Sequence, residues 1–172
     1  TEPLLDCTHR IMTDQKHRFL RGEADAWFAR NRDKLRAYAQ DPGRDQVITA
    51  LHHQALRPTS VLEIGASNGW RLNAITEVFD AKTVGLEPSE EAVADGRMHY
   101  PDVELRVGSA ESLDFDSNQF DLVIFGFCLY LIDPKELFTI AAEADRVLAD
   151  GGWLAIKDFL PTQPYRNPYS HM

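Results

Sequence analysis

From Ser60 onward the chain alternates short β-branched runs with longer stretches of helical periodicity, and this alternation restricts the fold more than any other feature. Successive strands joined by helical crossovers lie parallel, because the chain must be carried back across the sheet before each new strand can start. Strands are expected at Val61 to Ile64, Thr83 to Glu87, Val103 to Val107, Leu122 to Phe127 and Trp153 to Lys157. The helix after the fourth strand is the clearest. Asp133, Pro134 and Glu136 sit at N-cap, N1 and N3 of an acidic capping box. Leu137, Ile140, Ala141, Ala144, Val147 and Leu148 make its apolar stripe, and Gly151 or Gly152 is expected to stop it. Five β/α units in order imply an α/β fold with a Rossmann-like, doubly wound, mostly parallel sheet.

The chain before these units reads differently. Residues 1–60 hold 10 basic and 8 acidic side chains, whereas 61–172 hold 8 and 19, so the balance changes from +2 to -11. Ala24, Trp27, Phe28, Leu35 and Tyr38 recur at helical spacing, which predicts a helix from about Asp14 to Gln40. Asp41-Pro42-Gly43 ends it, and a second helix runs to about Leu56, ahead of Pro58. The expected division is an N-terminal helical segment over 1–57, packed on the core as a lid, a binding core over 58–160, and a loop or tail over 161–172.

Charge and apolar runs exclude several classes of partner. A net charge of -9 repels phosphate backbones and anionic lipid, so neither nucleic acid nor membrane is an expected partner. The longest apolar run, Leu122 to Ile132, is far short of the ~20 residues that span a bilayer. A cytoplasmic protein is expected. Cys7 and Cys128 lack metal or redox spacing, and the adjacent His52 and His53 point to different helix faces, so no metal site is expected.

Val61-Leu62-Glu63-Ile64-Gly65-Ala66-Ser67-Asn68-Gly69 runs from a buried strand through small residues into a helix, at the edge where open α/β sheets bind ligands. It lacks the G-x-G-x-x-G of a dinucleotide site and the Gly-Lys-Ser/Thr of a phosphate loop. Its distinguishing residue is Glu63, an acid suited to an ammonium or sulfonium.

This segment resembles the first motif of the class I S-adenosylmethionine-dependent methyltransferases, acid-x-Gly-x-Gly-x-Gly. Ser67 takes the middle glycine's place, a change that is tolerable where the backbone does not need positive φ. The resemblance implies S-adenosylmethionine as cofactor, with its methionine end near Glu63, Gly65, Ala66, Ser67 and Gly69. It implies ribose hydroxyls on Glu87, 22 residues after Gly65, with Pro88 beside it. Gly108-Ser109-Ala110-Glu111 stands where the family has Gly-Asp-Ala to read the adenine edge. Phe120-Asp121-Leu122-Val123 is similar to the fourth-strand signature, after which Gly126, Phe127 and Tyr130 face the donor. Val147-Leu148 through Gly151-Gly152-Trp153-Leu154 is similar to the run into the fifth strand.

The expected activity is methyl transfer to a small-molecule acceptor. Tyr130 and His171 are the candidate catalytic residues, and Asn31, Arg30 and Tyr130 the candidate acceptor contacts. Phe19 to Asn31 also resembles the start of methylases of bacterial pseudaminic-acid pathways, which would suit a sugar or sugar nucleotide. The alternative is a catalytically silent S-adenosylmethionine-binding module that serves as a protein partner. A nucleotide-dependent oxidoreductase stands third.

The family's sheet ends in two further strands, and nothing after Asp158 can form them: Pro161, Pro164 and Pro168 cannot donate to a ladder. The fifth strand is therefore expected to be an uncovered edge. The favoured explanation is a shortened form of a longer protein, and the other is a homodimer paired across that edge.

Overall fold

A computed structural model describes residues 22–160 and 162–163. The start of the first predicted helix, Cys7 and His171 lie outside the described residues. Two helices, α1 (Ala24–Gln40) and α2 (Gln46–His53), lead into β1 (Ser60–Ile64), α3 (Trp70–Phe79), β2 (Lys82–Glu87), α4 (Glu90–His99) and β3 (Glu104–Val107). Then follow β4 (Phe120–Gly126), α5 (Leu137–Val147) and β5 (Leu148–Lys157). The five strands are all parallel, in the order β3-β2-β1-β4-β5. The order reverses between β1 and β4, so the crevice of a doubly wound sheet opens at the carboxyl ends of these two strands.

Strand alternation sorts the core onto two faces. Val61, Leu122 and Ile124 meet Val47, Ile48 and Leu51 of α2 and Leu72 and Ile75 of α3 on one face. Leu62, Ile64, Val123 and Phe125 meet Ile140, Ala144 and Val147 of α5 on the other. Helix α1 buries Ala24, Phe28 and Leu35, whereas Trp27 is only half-buried and Tyr38 is exposed with its ring 5.7 Å from that of Trp70.

Three expectations are corrected. Among the described residues β1, β2 and β4 are followed by helices, whereas residues 108–119 cross from β3 to β4 without one. Leu113 and Phe115 are the only large apolar side chains there, two apart, and their Ser, Asp and Asn neighbours compete with helical hydrogen bonding. Asp133 does not cap α5: its side chain accepts from the Lys135 amide and its carbonyl from the Glu136 amide, closing a separate turn before the helix starts at Leu137. Nor does glycine stop α5. Leu148 turns extended directly after Val147, and Gly151 and Gly152 fall in a β5 bulge, where the register jumps from Phe120↔Leu148 to Leu122↔Trp153. β5 pairs with β4 alone, leaving Trp153, Leu154 and Ile156 half-exposed at the sheet edge.

Candidate active site

The loop after β1 is built by backbone. Gly65 and Ala66 both donate to the Leu86 carbonyl, at 2.9 and 3.2 Å, and Gly69 donates to Ala66 at 2.9 Å. Gly65 has φ +77°, and a Cβ there would lie 2.8 Å from Cys128 Cβ. Its requirement for glycine comes from the loop after β4 as much as from a ligand. Ser67 has φ +51°, so the substitution for glycine sits in the left-handed region after all. Its amide is aimed at Glu87, donating to Oε2 at 2.8 Å.

Glu87 ends β2 with 8% of its surface exposed, and its other oxygen accepts from the Ser89 amide at 2.9 Å. Burial pushes its pKa up to about 7 against the pull of these two amides, and the negative Glu63 and Asp25 add to the rise. Each oxygen keeps acceptor capacity beyond its one amide, as two hydroxyl donors require.

Glu63 is placed differently from the free acid expected. It has no exposed surface and points to the α2/α3 side, where it pairs with Arg71 of α3. Arg71 Nη2 is also 3.1 Å from Asp45 Oδ2, and Lys157 Nζ, at the end of β5, donates to that same oxygen at 2.7 Å. Asp45 further caps α2 by accepting from the Val47 and Ile48 amides. Burial raises the Glu63 pKa, with Arg71 opposing; at Asp45 burial also acts upward, yet Arg71 and Lys157 outweigh it and hold the pKa low. Two acids and two bases thus neutralise each other beneath the loop. Gly126 completes the roof, because a Cβ there would collide with Glu63 Oε1 and lie 3.0 Å from Arg71 Nη1. Sequence reasoning missed Asp45, Arg71 and Lys157, although Arg71 between Trp70 and Leu72 was a lone charge in an apolar stretch.

A cleft opens at the carboxyl edge. Of the predicted contacts, Gly65, Pro88, Ser109, Ala110 and Glu111 line it, with Ile64, Leu86, Leu131, Ile132 and Ile140 as apolar walls and Asp133 at its margin. Ala66, Ser67, Gly69 and Glu87 form the adjoining loop and strand tip. Phe127 turns away at φ +56°, its ring 5.4 Å from that of Phe159 and 5.5 Å from Lys157 Nζ. Tyr130 packs edge-on against Phe159 at 5.2 Å. Arg30 pairs with Glu23, and Asn31 Nδ2 donates to the Trp27 carbonyl at 2.8 Å, so both side chains are engaged on α1 itself.

The cleft has apolar walls that fit a flat ring, with the Glu87 carboxylate at the adjoining strand tip. Ser67 Oγ and Asn68 Oδ1 in the loop are buried without hydrogen-bond partners among the described residues, polar capacity that a ligand can use. Among the described residues no helix is long and apolar enough to cross a membrane.

Comparison with known proteins agrees with this arrangement. An uncharacterized methyltransferase of Synechocystis sp. is 35% identical over 78 residues, 45% of this chain and 37% of that protein. A demethylmenaquinone methyltransferase of Chlorobaculum tepidum is 30% identical over 96 residues, 56% and 39% of the two chains. The chain thus spans less than half the length of the curated relatives it matches. The solved PH0226 protein of Pyrococcus horikoshii superposes with a TM-score of 0.59 at 25% identity, over 68% of this chain and 56% of that one. A methyltransferase of Aquifex aeolicus shares the fold, with a TM-score of 0.60 at 20% identity over 79% and 77%. The methyltransferase domain family matches residues 61–152, from the first residues of β1 to the bulge of β5. That match takes in more than half of the sequence and every strand tip around the cleft, and by it the chain belongs to the class I methyltransferases, whose methyl donor is S-adenosylmethionine.

Proposed function

We propose that the protein transfers a methyl group from S-adenosylmethionine to a small molecule. The observation that carries this reading is the convergence of Gly65, Pro88 and Ser109 to Glu111, from three different strand ends, on one cleft beside the buried carboxylate of Glu87. Glu87 would accept the ribose hydroxyls, Leu86, Pro88 and Ile140 would sandwich the base, and the Ser109 and Ala110 segment would read its edge. The loop from Gly65 to Gly69, with Gly126 opposite, would hold the amino-acid end. Glu63 supports that loop from beneath through Arg71 rather than facing the ligand.

The bound donor supplies a methyl on a positively charged sulfur, a good leaving group in an in-line displacement. The residues therefore need only position the acceptor and exclude water. An acceptor that carries a proton would have to lose it as it is methylated, so a group able to take that proton would have to stand beside it. Tyr130, beside the aromatic pair Phe127 and Phe159, would orient an acceptor through its hydroxyl, and a proton would have to pass to water or to a cleft carboxylate such as Glu111 or Asp133.

The acceptor class rests on weaker supports. The resemblance of Phe19 to Asn31 favours a sugar or sugar nucleotide, though Arg30 and Asn31 would have to exchange their present partners to bind one. The demethylmenaquinone methyltransferase among the relatives brings a quinol into the comparison.

Calorimetry with S-adenosylmethionine, S-adenosylhomocysteine and NAD tests the donor: the first two should bind and NAD should not. Turnover against sugars, sugar nucleotides and demethylated quinols then tests the acceptor. Binding without turnover on any acceptor would favour the silent module.

A further inference from the structure

Helix α1 reaches the donor site without lining its cleft. In its first turn, Asp25 Oδ1 accepts from Ser89 Oγ at 2.6 Å and from the Glu91 amide at 3.2 Å. Ser89 caps α4 through the Ala92 amide, and its own amide is one of the two that hold Glu87. Two turns further along α1, Arg32 lies over the Phe28 ring with its Nε 3.8 Å from Asp95 Oδ1. Asp95 Oδ2 accepts at 2.9 Å from Asn68, the fully buried neighbour of Ser67. Two separate paths therefore run from α1 to the ligand loop, one ending on the acid and one on the loop itself.

These paths are only partly closed. Arg32 Nε, Asn68 Oδ1 and Ser67 Oγ are buried without a hydrogen-bond partner among the described residues. An unmade hydrogen bond in a buried place is unfavourable, so this seam gains when it tightens. Arg32 Nε needs to move less than an ångström toward Asp95 to make a good bond.

We propose that α1 is a clasp on the donor site, in which Asp25 and Arg32 are positioning residues that hold Glu87 and Asn68 in binding geometry through Ser89 and Asp95. The proposal rests on reading the cleft as the site of a nucleoside sulfonium or thioether. Coupling of this kind is reciprocal: if docked α1 tightens ligand binding, bound ligand tightens α1 by the same factor. A helix that merely completes the core through Phe28 and Leu35 would show no such return effect.

The test uses the full 172-residue chain with S-adenosylhomocysteine as probe, read by calorimetry and by hydrogen exchange of the α1 amides. In the unaltered protein, ligand should slow exchange across α1. Asp25→Ala with Arg32→Ala should weaken binding about ten-fold and remove that slowing. Arg36→Ala, which removes a pair with Asp33 on the same helix and touches neither path, should change neither. Asp25→Asn keeps an acceptor for Ser89 and should restore most of the affinity lost with Asp25→Ala. If the double variant loses its cooperative melt, Asp25→Asn with Arg32→Gln replaces it, with a loss of about three-fold or more. Binding that is unchanged in the variants, or α1 exchange indifferent to bound ligand, would overturn the clasp alone. An unaltered protein that does not bind the probe would overturn the donor-site reading and the clasp with it.

Discussion

Glu63 and Glu87 end neighbouring strands at the same edge of the sheet, both are buried, and they are held in opposite ways. Glu63 faces a guanidinium and lies in a neutral group of four charges. Among the described residues Glu87 has no cation beside it, and it is held by two backbone amides. Glu63 is held by charge and serves as foundation, although its Oε2 and Arg71 Nε are buried without hydrogen-bond partners among the described residues. Glu87, held by one amide on each oxygen at the strand tip beside the cleft, keeps acceptor strength on both oxygens that a ligand can use.

The largest test of this difference is to remove the cation. Arg71→Met leaves Glu63 buried without its partner and should destabilise the protein by about 3–5 kcal/mol in urea denaturation. A loss under about 1 kcal/mol would mean that the group of four charges is not structural. Glu87→Ala should act on binding instead: affinity for S-adenosylhomocysteine should fall by about ten-fold or more, the loss of a charge-assisted acceptor worth ~1.5–3 kcal/mol. Its urea midpoint should move far less than that of Arg71→Met.

Acid titration sharpens the comparison further. Glu87 has its pKa raised from 4.5 to about 7, so between these values the native protein keeps a proton that the unfolded chain has released. Its contribution to stability is therefore full below pH 4.5 and is lost as pH rises through 7. Binding has the opposite sign, because hydroxyls donate to the ionised form: affinity should climb as pH rises toward 7, by up to about ten-fold per unit, and then level off. Glu87→Gln should flatten that binding profile, whereas Glu63→Gln should lower stability and shift the profile toward lower pH without flattening it, because it removes a negative charge that raises the Glu87 pKa. The smallest effect belongs to Ser67→Gly. Relief of the left-handed backbone is worth about 1 kcal/mol, and the freedom that glycine gains in the unfolded chain offsets about half of it. The urea midpoint should rise slightly.

The sheet and the ligand edge were legible because apolar periodicity records burial. Val61-Leu62 and Leu122-Val123-Ile124 can only be interior strands, and the small residues after Ile64 mark where backbone must come close. What periodicity does not record is which buried charge meets which. Glu63 in an apolar strand and Arg71 in an apolar helix are each visible as anomalies, but their pairing depends on how α3 lies against β1. Asp45 was missed, and its bond to Lys157 spans 112 residues, beyond what any local pattern records. The cap expected at Asp133 failed for a related reason: Asp-Pro opens turns as readily as helices, and only the path into the cleft decides between them.

The bond from Lys157 to Asp45 has a consequence for the order in which the chain can fold. With β1, α2 and α3 assembled, Asp45 and Glu63 share only Arg71, and the interior carries one surplus negative charge. Lys157 cancels it only when β5 docks beside β4. The late strand thus contributes neutralisation as well as backbone hydrogen bonds, and a nascent chain still short of residue 157 has reason to leave this interior wet. Completion of the first helices and arrival of the last strand become a single cooperative event across almost the whole length of the polypeptide.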